Sequence, residues 1–313
     1  MKLLLLCPLK NSPSPNLSLQ GRGILYGCSM TLSEALQSTK HTLSAAEIED
    51  AEIEAELLLC HILRASKTQL YTEAERALTS MEVSILHHLI QRRLLHEPTA
   101  YILQGCEFYG IGFYVDYRTF IPRPETELLV EKTIEFAHRH FPPEKQFTIA
   151  DIGTGNGAIA ISLALALPQA KIYATDISAS ALQVAEVNCR YHKLDSRVEL
   201  LQGNLLEPLP QPVDIIVANL PYIKNCELQG LSPEIINFEP MVALAGGEDG
   251  LDKIRRLLEQ VQGKLDSGGC LLLEIGQEQG KTAPTLINSY FPKANIELSP
   301  DLGGIDRVVK IIF

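Results

Sequence analysis

The sequence predicts an α/β fold in which a mostly parallel sheet follows a separate helical segment. From about residue 126 onward, short apolar strands alternate with helices. Repeated strand–helix–strand units form a parallel sheet that is covered by helices on both faces. Residues 30–98 show a helical pattern throughout, and a short stretch rich in aromatic and β-branched residues separates the two regions.

The first 29 residues differ in composition from the rest of the chain. They hold basic residues and no acidic ones, with a Ser/Pro/Asn-rich stretch between Asn11 and Ser18. The first strong helix start is Thr31, because Glu34 three residues later completes a capping box. Met30 lies directly before it. We therefore expect residues 1–29 to be a disordered or mis-assigned leader.

Residues 30–98 are expected to form a helical bundle. A second capping box, Ser44 with Glu47, is expected to open another helix. A third helix is expected over residues 81–96, because Pro98 disfavours helix in the residue before it.

Residues 99–124 are predicted to form a β-hairpin linker, because aromatic and β-branched residues are interleaved there with glycines. The remaining residues, 125–313, make the sheet domain. Its expected helices cover residues 158–167, 178–191 and 251–265, and its expected strands cover 147–152, 171–175, 198–201, 214–218, 271–275, 295–298 and 307–312. The last two strands are joined too closely for a crossover helix, so the final strand is expected to be antiparallel.

Composition narrows the classes of function. The net charge of −11 argues against nucleic acid as a direct partner, because nucleic-acid binders carry a basic balance. No apolar run reaches the roughly 18 residues that span a bilayer. Seven cysteines without a CxxC pair fit reduced thiols in the cytosol, and the histidines lack metal-ligand spacing. We expect a cytoplasmic monomer without a metal.

The first strand–helix turn carries a glycine-rich loop. It reads Asp151-Ile152-Gly153-Thr154-Gly155-Asn156-Gly157. The dinucleotide fingerprint is GxGxxG, whereas here the third glycine comes one position early. The preceding aspartate would repel a pyrophosphate but attract a cationic group. A plain turn is the structural alternative for this loop taken alone.

Two more polar residues follow the next strands. Asp176 ends the second strand, where a carboxylate can accept both hydroxyls of a ribose. Asn204 ends the third strand and is expected to bond an adenine edge. Together with the loop, these residues predict a nucleoside with a positively charged tail, which S-adenosyl-L-methionine has. The cofactor-binding residues that these features predict are Asp151, Gly153, Thr154, Gly155, Asn156, Gly157, Asp176 and Asn204.

The fourth strand leads directly into Asn219-Leu220-Pro221-Tyr222. An amide nitrogen is a poor nucleophile, so a methyltransferase acting on it must hold both N–H bonds and leave the lone pair facing the methyl carbon. The Asn219 side-chain oxygen and the Leu220 carbonyl are the two expected acceptors. Pro221 stiffens the turn, and Tyr222 is expected to stack on the flat acceptor group. These four residues are the predicted catalytic and substrate-binding set.

The sequence resembles the N5-glutamine methyltransferases of peptide chain release factors, the HemK/PrmC family, over residues 31–313. The segment Ile121-Pro122-Arg123-Pro124-Glu125-Thr126-Glu127 is the most specific carrier of the resemblance. Further carriers are Tyr101-Ile102-Leu103, Glu107-Phe108-Tyr109-Gly110, Asp151 to Gly157, Asn219 to Tyr222, Phe238-Glu239-Pro240, Leu273-Glu274-Ile275-Gly276 and Asp306-Arg307.

The resemblance implies a class I S-adenosylmethionine-dependent methyltransferase fold, with a seven-stranded sheet after a helical bundle and a hairpin. It also implies methylation of the glutamine in the GGQ motif of release factors, with residues 30–98 as the domain that docks this substrate. The resemblance further implies that Asn219 binds the cofactor as well as the glutamine. The family more often has proline where this chain has Leu220, which leaves the carbonyl contact but a less rigid turn. Position 204 is asparagine where many methyltransferases have aspartate.

Other functions also fit these residues. The same tetrapeptide suits an amino-methyltransferase that acts on a glutamine of a ribosomal protein or on N6 of adenine in a nucleic acid. A nicotinamide oxidoreductase is opposed by the glycine spacing. Arg123, Glu125, Glu239, Glu274 and Arg307 lie in the quoted motifs without a derivable role, and docking, ion pairing and catalysis are all open for them.

Overall fold

The computed structural model describes residues 30–313, so the expectation for residues 1–29 lies outside the described residues. The chain divides into two compact units, one ending at Leu103 and one spanning Gln104–Phe313. The hairpin lies in the second unit, and its linker role stays a prediction. Within the described residues, no helix is long and apolar enough to cross a membrane.

The first unit is helical, as the sequence predicts. Thr31 caps the first helix with the expected capping box: its N–H donates to Glu34 Oε2 at 2.8 Å, and the Glu34 N–H donates to Thr31 Oγ1 at 3.3 Å. Leu43, Leu58 and Leu59 are fully buried in its core. The helices are α1 (Leu32–Ala45), α2 (Ala51–Leu63), α3 (Lys67–Thr72), α4 (Ser80–Leu94) and α5 (Thr99–Leu103).

The capping box expected at Ser44 and Glu47 is wrong. Ser44 lies in the last turn of α1, and its carbonyl accepts a hydrogen bond from the Glu47 N–H at 3.1 Å. Glu47 has φ +57°, in the left-handed region, so it terminates α1 and cannot begin the next helix. The helix α2 starts four residues later, after Asp50, which makes no side-chain cap.

The second unit begins with the antiparallel hairpin of β1 (Cys106–Phe108) and β2 (Ile111–Phe113), and this part of the prediction is confirmed. Its further strands are β3 (Phe147–Ile152), β4 (Ala170–Asp176), β5 (Val198–Gln202), β6 (Val213–Ala218), β7 (Ile223–Lys224), β8 (Ala245–Gly247), β9 (Leu265–Glu274), β10 (Asn295–Pro300) and β11 (Asp306–Ile312). The helices are α6 (Glu127–His140), α7 (Ala158–Ala166), α8 (Ala179–Tyr191), α9 (Pro233–Phe238), α10 (Asp252–Gln260) and α11 (Thr282–Tyr290).

Seven of these strands form one sheet in the order β10-β11-β9-β6-β3-β4-β5. The pairs from β9 to β5 are parallel, whereas β11 is antiparallel to both of its neighbours. The predicted α/β class and the antiparallel final strand are therefore confirmed. Buried clusters cover both faces of the sheet, which explains why its central strands are continuous apolar runs.

The carboxyl ends of the parallel strands lie at one edge of the sheet, where α/β proteins bind ligands. The strand order reverses beside β3, because β4 lies on one side of it and β6 on the other. The polar residues that follow β3, β4 and β6 are therefore brought together at this edge. A separate two-stranded sheet of β7 and β8, absent from the sequence prediction, lies directly after β6 in the chain.

Candidate active site

The glycine-rich loop after β3 makes a tight turn with backbone that favours glycine. Gly153, Gly155 and Gly157 have φ values of +73°, +58° and +84°. The N–H groups of Gly153 and Thr154 both donate to the Thr175 carbonyl at 2.9 Å, which ties the loop to the end of β4. A Cβ at Gly155 would meet no atom within 4 Å, so the loop is open at this point.

Asp151 lies beneath this loop and is fully buried. Its Oδ2 accepts hydrogen bonds from Thr154 Oγ1 at 2.6 Å and from the Ala160 N–H at 3.1 Å. Its Oδ1 is buried and accepts none from the described residues. Burial raises the pKa of Asp151 to about 7, and the nearby Asp176 charge adds to this rise. Asp151 therefore holds the loop from below and leaves one carboxylate oxygen uncommitted.

Asp176 at the end of β4 connects the loop to the next helix. Its Oδ2 accepts from the Gly155 N–H at 2.9 Å, and its Oδ1 accepts from the Ser178 N–H at 2.8 Å. Burial raises the pKa of Asp176, although these backbone donors act in the opposite direction. Each carboxylate oxygen has a second lone pair, so both can still accept a ligand hydroxyl.

A cavity opens above these strand ends and collects most of the predicted site. Of the predicted cofactor residues, Asp151 and Gly157 do not line it. Asn204 does, and its amide donates to Glu207 Oε1 at 2.7 Å, which orients the side chain. The lining includes Phe120, Pro122, Thr126, Gly153, Thr154, Gly155, Asn156, Asp176, Asn204, Leu205, Asn219, Leu220, Pro221, Tyr222, Pro240 and Val242.

Asn219 follows β6 directly and faces this cavity. Its Nδ2 donates to Thr126 Oγ1 at 3.0 Å. Within residues 30–313, no group donates a hydrogen bond to the Asn219 side-chain oxygen or to the Leu220 carbonyl. The two acceptors predicted to hold a substrate amide are thus both uncommitted at the cavity wall.

Tyr222 is fixed on several sides. Its hydroxyl donates to Glu274 Oε1 at 3.2 Å, and its backbone carbonyl accepts from Gln279 Nε2 at 3.3 Å. A Cβ at Gly246 would lie 2.7 Å from the Tyr222 backbone, so only glycine allows this approach. Burial, with the Glu274 charge nearby, raises the pKa of Tyr222 well above its usual range. Its ring is held in place as one wall of the cavity.

The sequence analysis left Arg123 and Glu239 without a role, and the structure pairs them. Glu239 is 5% exposed, and its carboxylate forms an ion pair with Arg123 and accepts from the Ile121 N–H. The Arg123 guanidinium also lies over the Phe120 ring, 4.5 Å from its centroid. This contact holds the segment before α6 against the segment after α9, and both segments line the cavity.

The residues present fit a cationic nucleoside. The open space at Gly155 admits a ligand to the loop backbone, and the unpartnered Asp151 oxygen lies in a region of negative charge shared with Asp176. Apolar side chains, including Phe120 and Leu205, supply walls for a flat base. A carboxylate pair under a glycine loop suits a sulfonium and its amino group better than a phosphate.

This fold and this site define an S-adenosylmethionine-dependent methyltransferase. Residues 129–238 match the family model for the methyltransferase small domain, and residues 34–103 match that for the PrmC N-terminal domain. Among solved structures, the hMettl16 catalytic domain in complex with MAT2A 3'UTR hairpin 6 superposes with a TM-score of 0.51 at 14% identity, over 71% of this chain and 81% of that chain. At that identity the similarity concerns the fold alone.

Curated relatives define the family more closely. The release factor glutamine methyltransferase of Moorella thermoacetica is 41% identical over 279 residues, which covers 89% of this chain and 97% of the relative. That of Koribacter versatilis is 39% identical over 282 residues, which covers 90% and 98%. The chain belongs to the release factor glutamine methyltransferase family.

Proposed function

We propose that this protein transfers the methyl group of S-adenosylmethionine to the side-chain amide nitrogen, N5, of the glutamine in the GGQ motif of peptide chain release factors. The observation that carries the proposal is the pair of uncommitted acceptors on Asn219 and Leu220 at the cavity wall. Family membership supports the choice of substrate over a ribosomal protein glutamine or adenine N6.

Asn219 and Leu220 orient the substrate amide. Its two N–H groups donate to the Asn219 side-chain oxygen and the Leu220 carbonyl, so that the nitrogen lone pair lies perpendicular to the amide plane and faces the methyl carbon. The same two oxygens stabilise the positive charge that develops on nitrogen. Loss of that charge needs no strong base, because a methylated amide nitrogen is very acidic and releases its proton to water.

The cofactor supplies the methyl group when it is bound. The carboxylate of Asp176 accepts its ribose hydroxyls, and Asn204 faces its base. Gly153 to Asn156 surround its amino acid part, whereas Asp151 and Gly157 act from outside the cavity. Asp151 supports the loop and contributes negative charge, and Gly157 allows the close packing of α7 on α8, since a Cβ there would lie 3.4 Å from that of Ala185.

The remaining assignments concern the whole protein. We infer that residues 30–98 dock the release factor, and that residues 99–124 join them to the methyltransferase domain, residues 125–313. The protein acts as a cytoplasmic monomer and binds no nucleic acid directly. The net charge of −11 supports the last point, because a duplex would be repelled by an acidic surface.

The test uses methyl-labelled S-adenosylmethionine with a purified release factor, and a second release factor whose GGQ glutamine is replaced by alanine. We expect label on the first factor only, and an Asn219→Ala enzyme that labels it at least about tenfold more slowly, since one oriented hydrogen bond is lost. If neither factor is labelled while calorimetry shows cofactor binding, the substrate assignment is wrong and ribosomal protein and RNA are tested next.

A further inference from the structure

We propose that Asn188 is a positioning residue that holds the glycine-rich loop in the shape in which it binds S-adenosylmethionine. Asn188 does not line the cavity and acts through the backbone of Asn156, which does. The inference rests on one part of the proposed function, that S-adenosylmethionine is the ligand of this loop, and it does not depend on the substrate. The motifs of the sequence do not include Asn188.

The Asn188 side chain lies in α8, is fully buried and is hydrogen-bonded at both of its polar atoms. Its Oδ1 accepts from the Tyr114 N–H at 2.8 Å. Its Nδ2 donates to the Tyr114 carbonyl at 2.9 Å and to the Asn156 carbonyl at 2.8 Å. The amide thus uses both of its N–H bonds, and it joins α8 to two other parts of the chain.

A side-chain amide is the group that satisfies all three partners. Two of the partners are carbonyls, which can only accept, and the third is an N–H, which can only donate. A carboxylate has no proton for the carbonyls when it is ionised, and an apolar side chain would leave all three backbone groups without this partner. Buried polar groups that lose a partner cost stability, so the site selects asparagine by its chemistry.

The Asn156 carbonyl is free for this bond because the following helix does not use it. In a regular helix the Ala160 N–H would donate to the carbonyl four positions earlier, which is that of Asn156. Here the Ala160 N–H donates instead to Asp151 Oδ2 at 3.1 Å. The Asn156 side chain is anchored only nearby, since its Oδ1 accepts from the Ala158 N–H. Among residues 30–313, Asn188 therefore provides the hydrogen bond that ties Asn156 to a neighbouring element.

At its other end, Asn188 holds the segment that leads from the hairpin to the cavity. Residues 112–118 run antiparallel to α8 and make two further hydrogen bonds to it: His192, directly after α8, donates through Nε2 to the Gly112 carbonyl at 2.9 Å, and Arg118 Nη1 donates to Gln183 Oε1 at 3.1 Å. Arg118 and Phe120 then form part of the cavity wall. Of these three contacts, that of Asn188 is the one that also reaches the glycine-rich loop.

The test compares Asn188→Asp with His192→Phe by titration calorimetry. Asn188→Asp keeps the shape and the acceptor for the Tyr114 N–H but lacks the NH₂ group that donates to the two carbonyls. We expect it to weaken S-adenosylmethionine binding by at least about tenfold, because the loop loses its anchor.

His192→Phe is the matched control. It removes one hydrogen bond between the same helix and the same segment, keeps an aromatic ring beside Phe113, and leaves the contact to the glycine-rich loop in place. We expect its dissociation constant for S-adenosylmethionine to stay within about twofold of that of the wild type.

A second variant, Asn188→Ser, covers the possibility that the buried carboxylate prevents folding. Its hydroxyl has one proton and a shorter reach, so it cannot replace both donors, and we expect affinity to fall by at least about fivefold. Denaturant unfolding is measured on every variant. A variant that is only less stable, but still folded without denaturant, should keep its affinity, so a loss of affinity separates positioning from packing.

Amide hydrogen exchange without ligand tests whether the effect passes through the loop. The Gly155 N–H donates to Asp176, and the Gly157 N–H donates to the Thr154 carbonyl. Both should exchange at least about tenfold faster in Asn188→Ser than in the wild type, after correction by the Arg255 N–H within α10, which reports a general loss of stability. Both should exchange at the wild-type rate in His192→Phe.

The outcomes separate this role from the proposed function. If the wild-type protein binds no S-adenosylmethionine, the proposed function is wrong. If it binds and the folded Asn188 variants keep its affinity within about twofold, the positioning role is wrong. An equal loss of affinity in His192→Phe, or loop amides that exchange at the wild-type rate in a variant with weakened binding, would also overturn the positioning role.

Discussion

Asp176 shows how one carboxylate can fix the loop and still line the cavity. Each of its oxygens already accepts a backbone N–H, from Gly155 and from Ser178, so that the loop and the start of α8 are fixed before any cofactor arrives. Asp176 also lines the cavity, and each of its oxygens keeps a second lone pair that can accept a further hydrogen bond. A site arranged in this way is preorganised, because binding requires little rearrangement of the polar groups.

From this arrangement we infer that Asp176 is the proposed cofactor contact most sensitive to substitution. We expect Asp176→Ala to weaken S-adenosylmethionine binding by about 10- to 100-fold, because it removes two charge-assisted hydrogen bonds and loosens the loop. Asp176→Asn, which keeps one acceptor, should fall between this variant and the wild type. Titration calorimetry measures both, with Asn204→Ala expected to lose less than either. An unchanged dissociation constant in Asp176→Ala would remove the residue from the site.

Single residues differed in how far the sequence could predict them. Asn219 and Asp176 were predictable because a polar residue directly after a buried strand lies at the ligand edge of a parallel sheet. The contact between Thr126 and Asn219 was not, because the two residues lie 93 positions apart in sequence. Glu274 did carry a signal, a lone acidic residue ending the apolar run Leu271-Leu272-Leu273, but no sequence pattern names its partner.

Secondary structure elements, like single residues, were predicted where local sequence determines them and missed where tertiary contacts do. The seven strands of the main sheet overlap the predicted strands, and β3 matches residue for residue, because a central strand that is buried on both faces is a continuous apolar run. The start of β9 was predicted wrongly: the helix expected over residues 251–265 ends at Gln260, and β9 already begins at Leu265. The small sheet of β7 and β8 was missed. It has two- and three-residue strands, and its register depends on Gly246 packing against the Tyr222 backbone, which is a tertiary contact.

Two glycines of the loop after β3 allow a matched comparison within one element. Both Gly155 and Gly157 have positive φ, so alanine at either position costs about 1 kcal/mol of backbone strain. A Cβ at Gly155, which lines the cavity, would meet nothing within 4 Å, whereas one at Gly157 would lie 3.2 Å from the Ile161 side chain. Their effects on stability and binding should therefore differ.

We expect Gly155→Ala to weaken cofactor binding by more than about tenfold while its free energy of unfolding falls by only about 1 kcal/mol. Gly157→Ala should show the opposite order, with a larger loss of stability, since α7 must shift against α8, and a smaller loss of affinity. Denaturant unfolding and calorimetry on both proteins measure the difference. Equal loss of affinity in the two variants would contradict the placement of Gly155 at the ligand.

The molecule as a whole accommodates two buried acids at the same edge of its sheet. Burial raises the pKa of both Asp151 and Glu274 to about 7, from usual values of 3.8 and 4.5. Neither has a cation in direct contact among the residues described here. A cofactor that brings positive charge to this edge would lower the pKa of the nearer acid. The free-energy cost of burying the two carboxylates is therefore best measured in the protein without ligand.

The sign of the pH dependence follows from linkage. A carboxyl group whose pKa is raised on folding binds more protons in the folded state, so its contribution to stability is present below the unfolded pKa and is lost as pH rises through about 7. Groups with lowered pKa, such as Glu56 and Asp116, act in the opposite direction. The dependence of wild-type stability on pH therefore sums the contributions of both kinds of group. Comparing the wild type with variants in which Asp151 or Glu274 is neutral isolates the contribution of each buried acid.

As the pH rises from about 5 to about 8, we expect the free energy of unfolding of Asp151→Asn and of Glu274→Gln to increase relative to that of the wild type. The increase should be at least about 1 kcal/mol for each variant. The neutral side chains have no charge to desolvate, whereas the wild-type acids must ionise in the interior or remain protonated above their unfolded pKa. Urea unfolding of the ligand-free proteins measures this difference. Asp195→Asn, in the exposed turn between α8 and β5, is the control and should follow the wild type across this pH range. A constant difference between wild type and both variants across this range would show that these two acids do not titrate with shifted pKa values in the folded protein.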